Sequence, residues 1–292
     1  MPGDDLPAGI WPGREDSPDL ETSVAHAARV YDYRLGGTEN FAADRAAGDE
    51  AIGAFPGIVA AVRANRAFLA RAVGYLAAAG VRQFLDIGTG IPTAGNTHEV
   101  AQRAAADARI VYVDNDPVVA IHAANLLPVT SEGATSFIAA DVRDPDTILI
   151  QAQRTLDFSQ PVAIMLLGIL QLIPDADDPW AIVARLGQPA VPGSYLVISH
   201  PAGDIPGAER GGLAEGLSAP MPSGLMLRSG RRGAADVQRV HPGPAGAGAA
   251  RPVASGARGH RHRPAVHRAR RGRAQVRGRP GRLTGQLRSP VR

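Results

Sequence analysis

The 292-residue sequence predicts an α/β fold, with a mostly parallel sheet covered on both faces and helices ahead of it. Three observations carry this expectation. Five apolar runs rich in Val, Ile, Leu and Phe recur between residues 81 and 199. Segments of helical or loop composition separate them, the alternation expected of parallel strands and crossover helices. The first run also ends in an acid and two glycines, FLDIGTG, a strand-to-helix turn suited to the carboxyl end of such a sheet.

The elements follow in chain order. Residues 1–20, MPGDDLPAGIWPGREDSPDL, are acidic and proline-rich and are expected to be disordered. They lack the basic and apolar regions of a signal peptide. Residues 21–80 read as an N-terminal helical segment. In GIVAAVRANRAFLARAVGYLAAAG, Val59, Val62, Phe68, Leu69 and Val73 fall near helical spacing, and Gly80 suits a C-cap. Residues 81–228 form the expected α/β domain. Its strand candidates are 81–87, 109–113, 135–139, 161–167 and 194–199, and a helical pattern starts around Thr93.

Composition excludes several functions. There is no cysteine, hence no disulfide framework and no thiolate chemistry. No apolar run reaches the ~18 residues of a membrane span, so a cytoplasmic protein is expected. The histidines of the 21–228 region lie far apart, so no metal site is expected. The net charge of +3 conceals a split. Residues 228–292 hold 17 Arg and one acid, Asp236, whereas residues 1–227 hold 14 Arg and 27 acids.

The glycine turn raises the question of its ligand. Gly88 and Gly90 permit positive φ and close approach of a ligand to the backbone. Taken alone, a GxG is as often an ordinary turn. Two further strand ends carry acids. Asp114, in IVYVDNDP, could accept both hydroxyls of a ribose, while Asn115 and Asp116 could simply cap the next helix. Asp141, in IAADVRDP, could accept an adenine amine with Val142 against the ring, or could be a turn carboxylate. Together the three acids suggest an adenosine held across the first three strands. A dinucleotide fits less well. Thr93 stands at the third glycine position of GxGxxG, and a pyrophosphate on the turn would be repelled by Asp86. A cationic adenosine cofactor suits the acid better.

These stretches resemble a known family. FLDIGTG, VYVDNDP and AADVRDP look like the first three cofactor motifs of class I S-adenosylmethionine (SAM)-dependent methyltransferases, with a Rossmann-like sheet. ARVYDYRLGGTENFAADR, ANRAFLARAV, QFLDIGTGIPTAGNTHEVAQ, VYVDNDPVV and GSYLVISH, between residues 28 and 200, resemble a bacterial family of SAM-dependent methyltransferase-like proteins common in actinobacteria. The resemblance implies SAM as cofactor. Asp86, Gly88 and Gly90 would hold its methionine end, Asp114 would take its ribose hydroxyls, Asp141 and Val142 would flank its adenine, and Asn115 would be a further cofactor-binding residue. A YDYLLGG-like segment matches Tyr31, Asp32, Tyr33, Leu35, Gly36 and Gly37, with Arg34 departing. Tyr33 and the glycine pair are expected either to form a lid over the cofactor or to cap a helix.

Methyl transfer needs positioning more than acid–base chemistry, because the sulfonium is already activated. The acceptor is expected to be a small molecule. His200, ending the fifth strand, is a weak candidate base, and a strand-end His is more often only hydrogen-bonded. His98 reads as structural, and Gln171 stands where acceptor-contacting groups are expected. Three alternatives stay open: a non-catalytic SAM-binding protein, a nucleic-acid-binding protein through the basic tail, and an NAD-dependent oxidoreductase.

Residues 229–292 are rich in Arg, Gly, Pro and Ala, and no aromatic residue follows Pro201. Such a segment has little to bury and is expected to be disordered. GC-only codons encode only Gly, Ala, Pro and Arg, so the composition is that of a GC-rich gene read out of frame. Codon degeneracy permits, without forcing, a neighbouring-frame reading with apolar alternation, aromatics and acids. LMLRS, residues 225–229, still looks family-like, which puts the shift near 229–238. The final strands of the sheet would then be missing.

Overall fold

The protein is described from a computed structural model, covering residues 21–93, 95–126, 134–202, 226–228 and 265–268. Three helices come first: α1 (Ala27–Leu35), α2 (Ala42–Ala54) and α3 (Ile58–Ala78). Strands and helices then alternate through β1 (Gln83–Ile87), α4 (Thr97–Ala104), β2 (Arg109–Asp114), α5 (Pro117–Leu126), β3 (Thr135–Ala139), α6 (Pro145–Ala152), β4 (Ala163–Leu167), α7 (Pro179–Gly187) and β5 (Tyr195–Ser199). A last strand, β6, spans Ala265–Arg268.

The sheet order is β3-β2-β1-β4-β5-β6. Strands β1 to β5 are parallel, and β6 runs antiparallel to β5. The order reverses between β1 and β4, which creates the crevice where open α/β sheets bind ligands. All five sequence-derived strands are present, with ends within two residues of those expected.

Alternation along the strands divides the core. Leu85, Ile87, Val111, Val113, Ile164 and Leu166 face α6 and α7. Phe84, Ile110, Tyr112, Met165 and Val197 face α3 and pack with Phe68, Leu69 and Leu76. A chain buried on both faces reads as a near-continuous apolar run, which is why these strands were legible.

Gly80 ends α3 as expected. It adopts φ 95°, its N–H bonds the Ala77 carbonyl, and the Val81 N–H bonds the Leu76 carbonyl. This double bond pattern is the Schellman motif, with Leu76 and Val81 both buried beside it.

Two expectations are corrected. The helix after the glycine turn starts at Thr97 rather than near Thr93. Gly95 at φ 81° breaks the chain there, and Asn96 with Glu99 forms a capping box that fixes the start. Secondly, the expectation that the tail carries no order and that the sheet ends at β5 fails at four residues. Ala265–Arg268 pair with Tyr195–Ile198. Main-chain pairing at an open edge depends little on side chains, so β5 offers a template to any short extended segment. The rest of the tail and the first 20 residues lie outside the described residues.

Candidate functional site

The crevice is built from the ends of β1, β2 and β4. Asp86 sits near the end of β1, buried, and its Oδ2 accepts the Thr97 hydroxyl at 2.6 Å. Burial pushes its carboxyl above the usual range, opposed by Thr97 and the Arg66 guanidinium, while Asp114 adds to the rise. Among the described residues no donor meets Oδ1. Gly88 and Gly90 follow with φ of 71° and 66°. The Gly88 N–H bonds the Val113 carbonyl at 2.8 Å, which folds the turn back over β2.

Asp114 ends β2. One carboxylate oxygen accepts the Gly90 N–H at 2.8 Å and the other the Asp116 N–H at 3.0 Å. Each oxygen therefore keeps one lone pair for a further donor. Burial raises its pKa, and these two backbone bonds oppose the rise. A carboxylate so held cannot swing, so it fixes the turn and presents its remaining lone pairs in one direction.

Asp141 differs. Its Oδ1 accepts from the Arg143 N–H and Nε, both at 2.9 Å. Its Oδ2 accepts from Arg143 Nη2 at 2.6 Å and from Asn115 Nδ2 at 3.2 Å. All four lone-pair sites are used, so an adenine amine would displace one donor. The Arg143 side chain foremost holds this carboxyl below the usual range. Val142 is buried among core residues that include Val113, Ile138 and Ile148. The fold thus joins Asn115 and Asp141 beside Asp114.

Tyr33 points elsewhere. Its ring lies over Gly48 of α2, where an added Cβ would come within 2.4 Å, and its hydroxyl reaches Asp49 at 2.7 Å. Its neighbour Tyr31 faces the crevice side. The Tyr31 hydroxyl donates to the Val62 carbonyl at 3.1 Å and accepts from Asn65 Nδ2 at 3.1 Å. Asn65 Oδ1 accepts the Ser199 hydroxyl at 2.6 Å, which ties α1 and α3 to the end of β5.

The glycine pair 36–37 caps α1. Gly36 has φ 87° and its N–H returns to Tyr33, while Asp32 accepts the Glu39 N–H and Asn40 Nδ2 just beyond. The segment still covers the turn. Ile91 packs with Ala28, Phe41, Val118 and Val119. Arg29 bridges Asp116 at 3.3 Å and Asp44 at 3.7 Å, all three buried.

On the far side, Ile169 after β4 stands on Gly88, whose added Cβ would lie 2.7 Å from Ile169 Cδ1. His200 has both nitrogens engaged: Nδ1 with the Pro201 carbonyl at 2.7 Å and Nε2 with Arg228 Nη1 at 3.2 Å. Arg228 cannot accept, so Nε2 receives that bond and the ring is neutral with its proton on Nδ1. Burial is the first cause of its lowered pKa. Arg228 also binds the carbonyls of Leu170 and Ile173 and the Asp175 carboxylate, clamping the loop after β4. His98 bonds Tyr112 at 2.8 Å, a structural pairing inside the domain.

A family model described as S-adenosyl methyltransferase matches residues 13–238. The chain belongs to the S-adenosyl methyltransferase family. Two solved structures are similar over most of their length. A DUF574 family protein from Streptomyces avermitilis is 42% identical, with a TM-score of 0.70, covering 73% of this chain and 82% of that one. A candidate methyltransferase from Thermobifida fusca is 39% identical, with a TM-score of 0.67, covering 80% of this chain and 84% of that one. None of the curated proteins compared matches the chain. The fold of this S-adenosyl methyltransferase family member is the Rossmann-like α/β sheet with N-terminal helices expected from the sequence. Among the described residues, no helix is long and apolar enough to cross a membrane.

Sequence reading missed Arg66, Thr97, Asn65 and Ser199. Arg66 Nη2 bonds Asn96 at 2.8 Å and so stations a cation near Asp86. In α3 its position resembles any exposed helical arginine, and no local signal marks it. Ser199 and Asn65 are 134 residues apart, and only the topology joins them.

Proposed function

We propose that the chain binds SAM in the crevice between β1 and β4 and transfers its methyl group to a small-molecule acceptor. The observation that carries this reading is Asp114. Its carboxylate is fixed by the Gly90 and Asp116 N–H groups, with one lone pair free on each oxygen. A vicinal diol matches that arrangement. Asp86 supports the cationic methionine end, because a buried carboxylate gains from a neighbouring positive charge. The first turn of α4 is already capped by Asn96, and the His98 N–H is taken by Tyr112, which leaves little for a pyrophosphate. Bound here, SAM would supply an activated methyl group. The chain's own residues would orient it: Asp86, Gly88 and Gly90 at the methionine end, Asp114 and Asn115 at the ribose, and Asp141 near the adenine once a donor yields. The N-terminal helices exclude water. Asp114→Ala should weaken SAM binding by about 1–3 kcal/mol, the cost of losing hydrogen bonds to a charged group. Unchanged affinity in a folded variant would remove the ribose assignment.

We also propose that residues beyond about 230 are read from a shifted frame. The Arg/Gly/Pro/Ala composition supports this, as does the end of the family match at residue 238. Resequencing the gene tests it. A shifted frame restores the family pattern beyond 238, and an intact frame through the last codon refutes it.

A further inference from the structure

The loop after β4 brings two side-chain amides together. Gly168 adopts φ 73°, and a Cβ there would lie 3.3 Å from Asn65 Nδ2 and 3.4 Å from Gln171 Nε2. Gln171 Nε2 donates to the Gly168 carbonyl at 2.6 Å. A carbonyl can only accept, so this bond fixes which end of the amide is nitrogen and leaves Oε1 facing away from it. Oε1 is buried and, among the described residues, has no hydrogen-bond partner. A buried acceptor without a donor is rare in folded proteins and calls for an explanation. Its location supplies one. Ile169, two residues earlier, touches Gly88 of the glycine turn. Gln171 is therefore on the loop that borders the glycine turn, where the proposed function puts the methionine end of SAM.

The surroundings limit the chemistry. Tyr31, Asn65, Gln171 and Ser199 are uncharged at neutral pH, and burial foremost raises the Tyr31 phenol further. His200 has both ring nitrogens engaged. Among the described residues here, no free base stands ready to deprotonate a hydroxyl acceptor. We propose that Gln171 is a specificity-determining residue of a nitrogen-methylating site, its Oε1 accepting an N–H of a neutral amine. The proposal rests on the methyltransferase reading above.

The step balances without an added base. The nitrogen lone pair forms the new N–C bond as the S–C bond of the cofactor breaks. The bonding electron pair stays on sulfur, which becomes a neutral sulfide. The nitrogen gains positive charge, so its N–H bond to Oε1 strengthens in the transition state. The extra proton then leaves to water. The Met226 N–H bonds the Gln171 main-chain carbonyl at 2.8 Å, so the 226–228 segment runs beside this residue.

The test uses the full chain with methyl-labelled SAM and a matched panel of aliphatic and aromatic amines, phenols and carboxylates. We expect label on nitrogen only. Gln171→Met, of similar volume but lacking the oxygen, should lower kcat at least tenfold with S-adenosylhomocysteine affinity unchanged. Gln171→Asn, which keeps an amide, should recover part of the loss. Transfer to phenols or carboxylates alone overturns the proposal. So does absence of transfer to any nitrogen compound while SAM binds, or a Gln171→Met enzyme within twofold of the parent. Failure of SAM itself to bind overturns the underlying reading instead.

Discussion

Two carboxylates sit where water cannot neutralise them, and their energetics set the pH behaviour of the site. Asp86 is raised first by burial, then by the Asp114 charge, against Thr97 and Arg66. A raised carboxyl pKa means that the ionised form opposes folding. The associated stability is full at low pH and is lost as pH rises through the folded value. A cationic ligand reverses this preference by favouring the carboxylate. SAM affinity should therefore be level near neutrality and fall on acidification, beginning above the pH at which an exposed Asp titrates. Asp86→Asn should flatten that dependence and weaken binding at neutral pH, as calorimetry across pH would measure. An unaltered profile in the variant would disconnect Asp86 from the ligand. Arg34 offers a second test. It is 8% exposed, its Nε and Nη2 have no partner, and burial lowers its pKa to about 10. Among the described residues no carboxylate pairs with it, so its burial is a desolvation cost that an apolar side chain of similar volume removes. Arg34→Leu should raise stability by about 1 kcal/mol or more in urea unfolding. A less stable variant would show that the guanidinium has a role in the fold.

Among the elements, the N-terminal helices determine whether the site is closed. Arg29, Asp44 and Asp116 form a buried charge cluster that pins α1 to the start of α5. Glu39 reaches His122 at 3.0 Å across the same junction. These contacts hold residues 31–41 against the crevice. Entry of a ligand then requires a local opening, and its presence should slow that opening. Hydrogen exchange should show greater protection of residues 31–41 with S-adenosylhomocysteine bound. Equal protection in both states would mean that the segment is scaffold alone. Much of this level was visible in the sequence. Strands buried on both faces announced themselves as apolar runs, and Gly80 marked its helix end. The start of α4 was misplaced because its signal is a capping box, Asn96 with Glu99, hidden behind the more conspicuous glycines. The role of α3 in the site could not be read locally. Asn65 and Arg66 act through partners on β5 and α4 that only the packing brings near.

At the scale of the molecule, sheet order places the site. The reversal between β1 and β4 puts Gly88, Asp114 and the loop after β4 at one end of the sheet. The three strand-end acids were legible as a set, yet their states differ once folded. Asp114 keeps free lone pairs, Asp86 accepts from Thr97 on one oxygen, and Asp141 is filled by Arg143 and Asn115. Sequence could place the acids but could not foresee their occupancy, because that depends on side-chain geometry. The edge strand β6 likewise had no sequence signal, since AVHR is too short to show alternation. The central claim is that the crevice takes a cationic adenosine cofactor rather than a dinucleotide. Isothermal titration of the full chain with SAM, S-adenosylhomocysteine and NAD tests it most directly. The account expects saturable one-to-one binding of the first two and no heat from NAD. Saturable binding of NAD, or a folded protein that binds neither adenosyl compound, would contradict it.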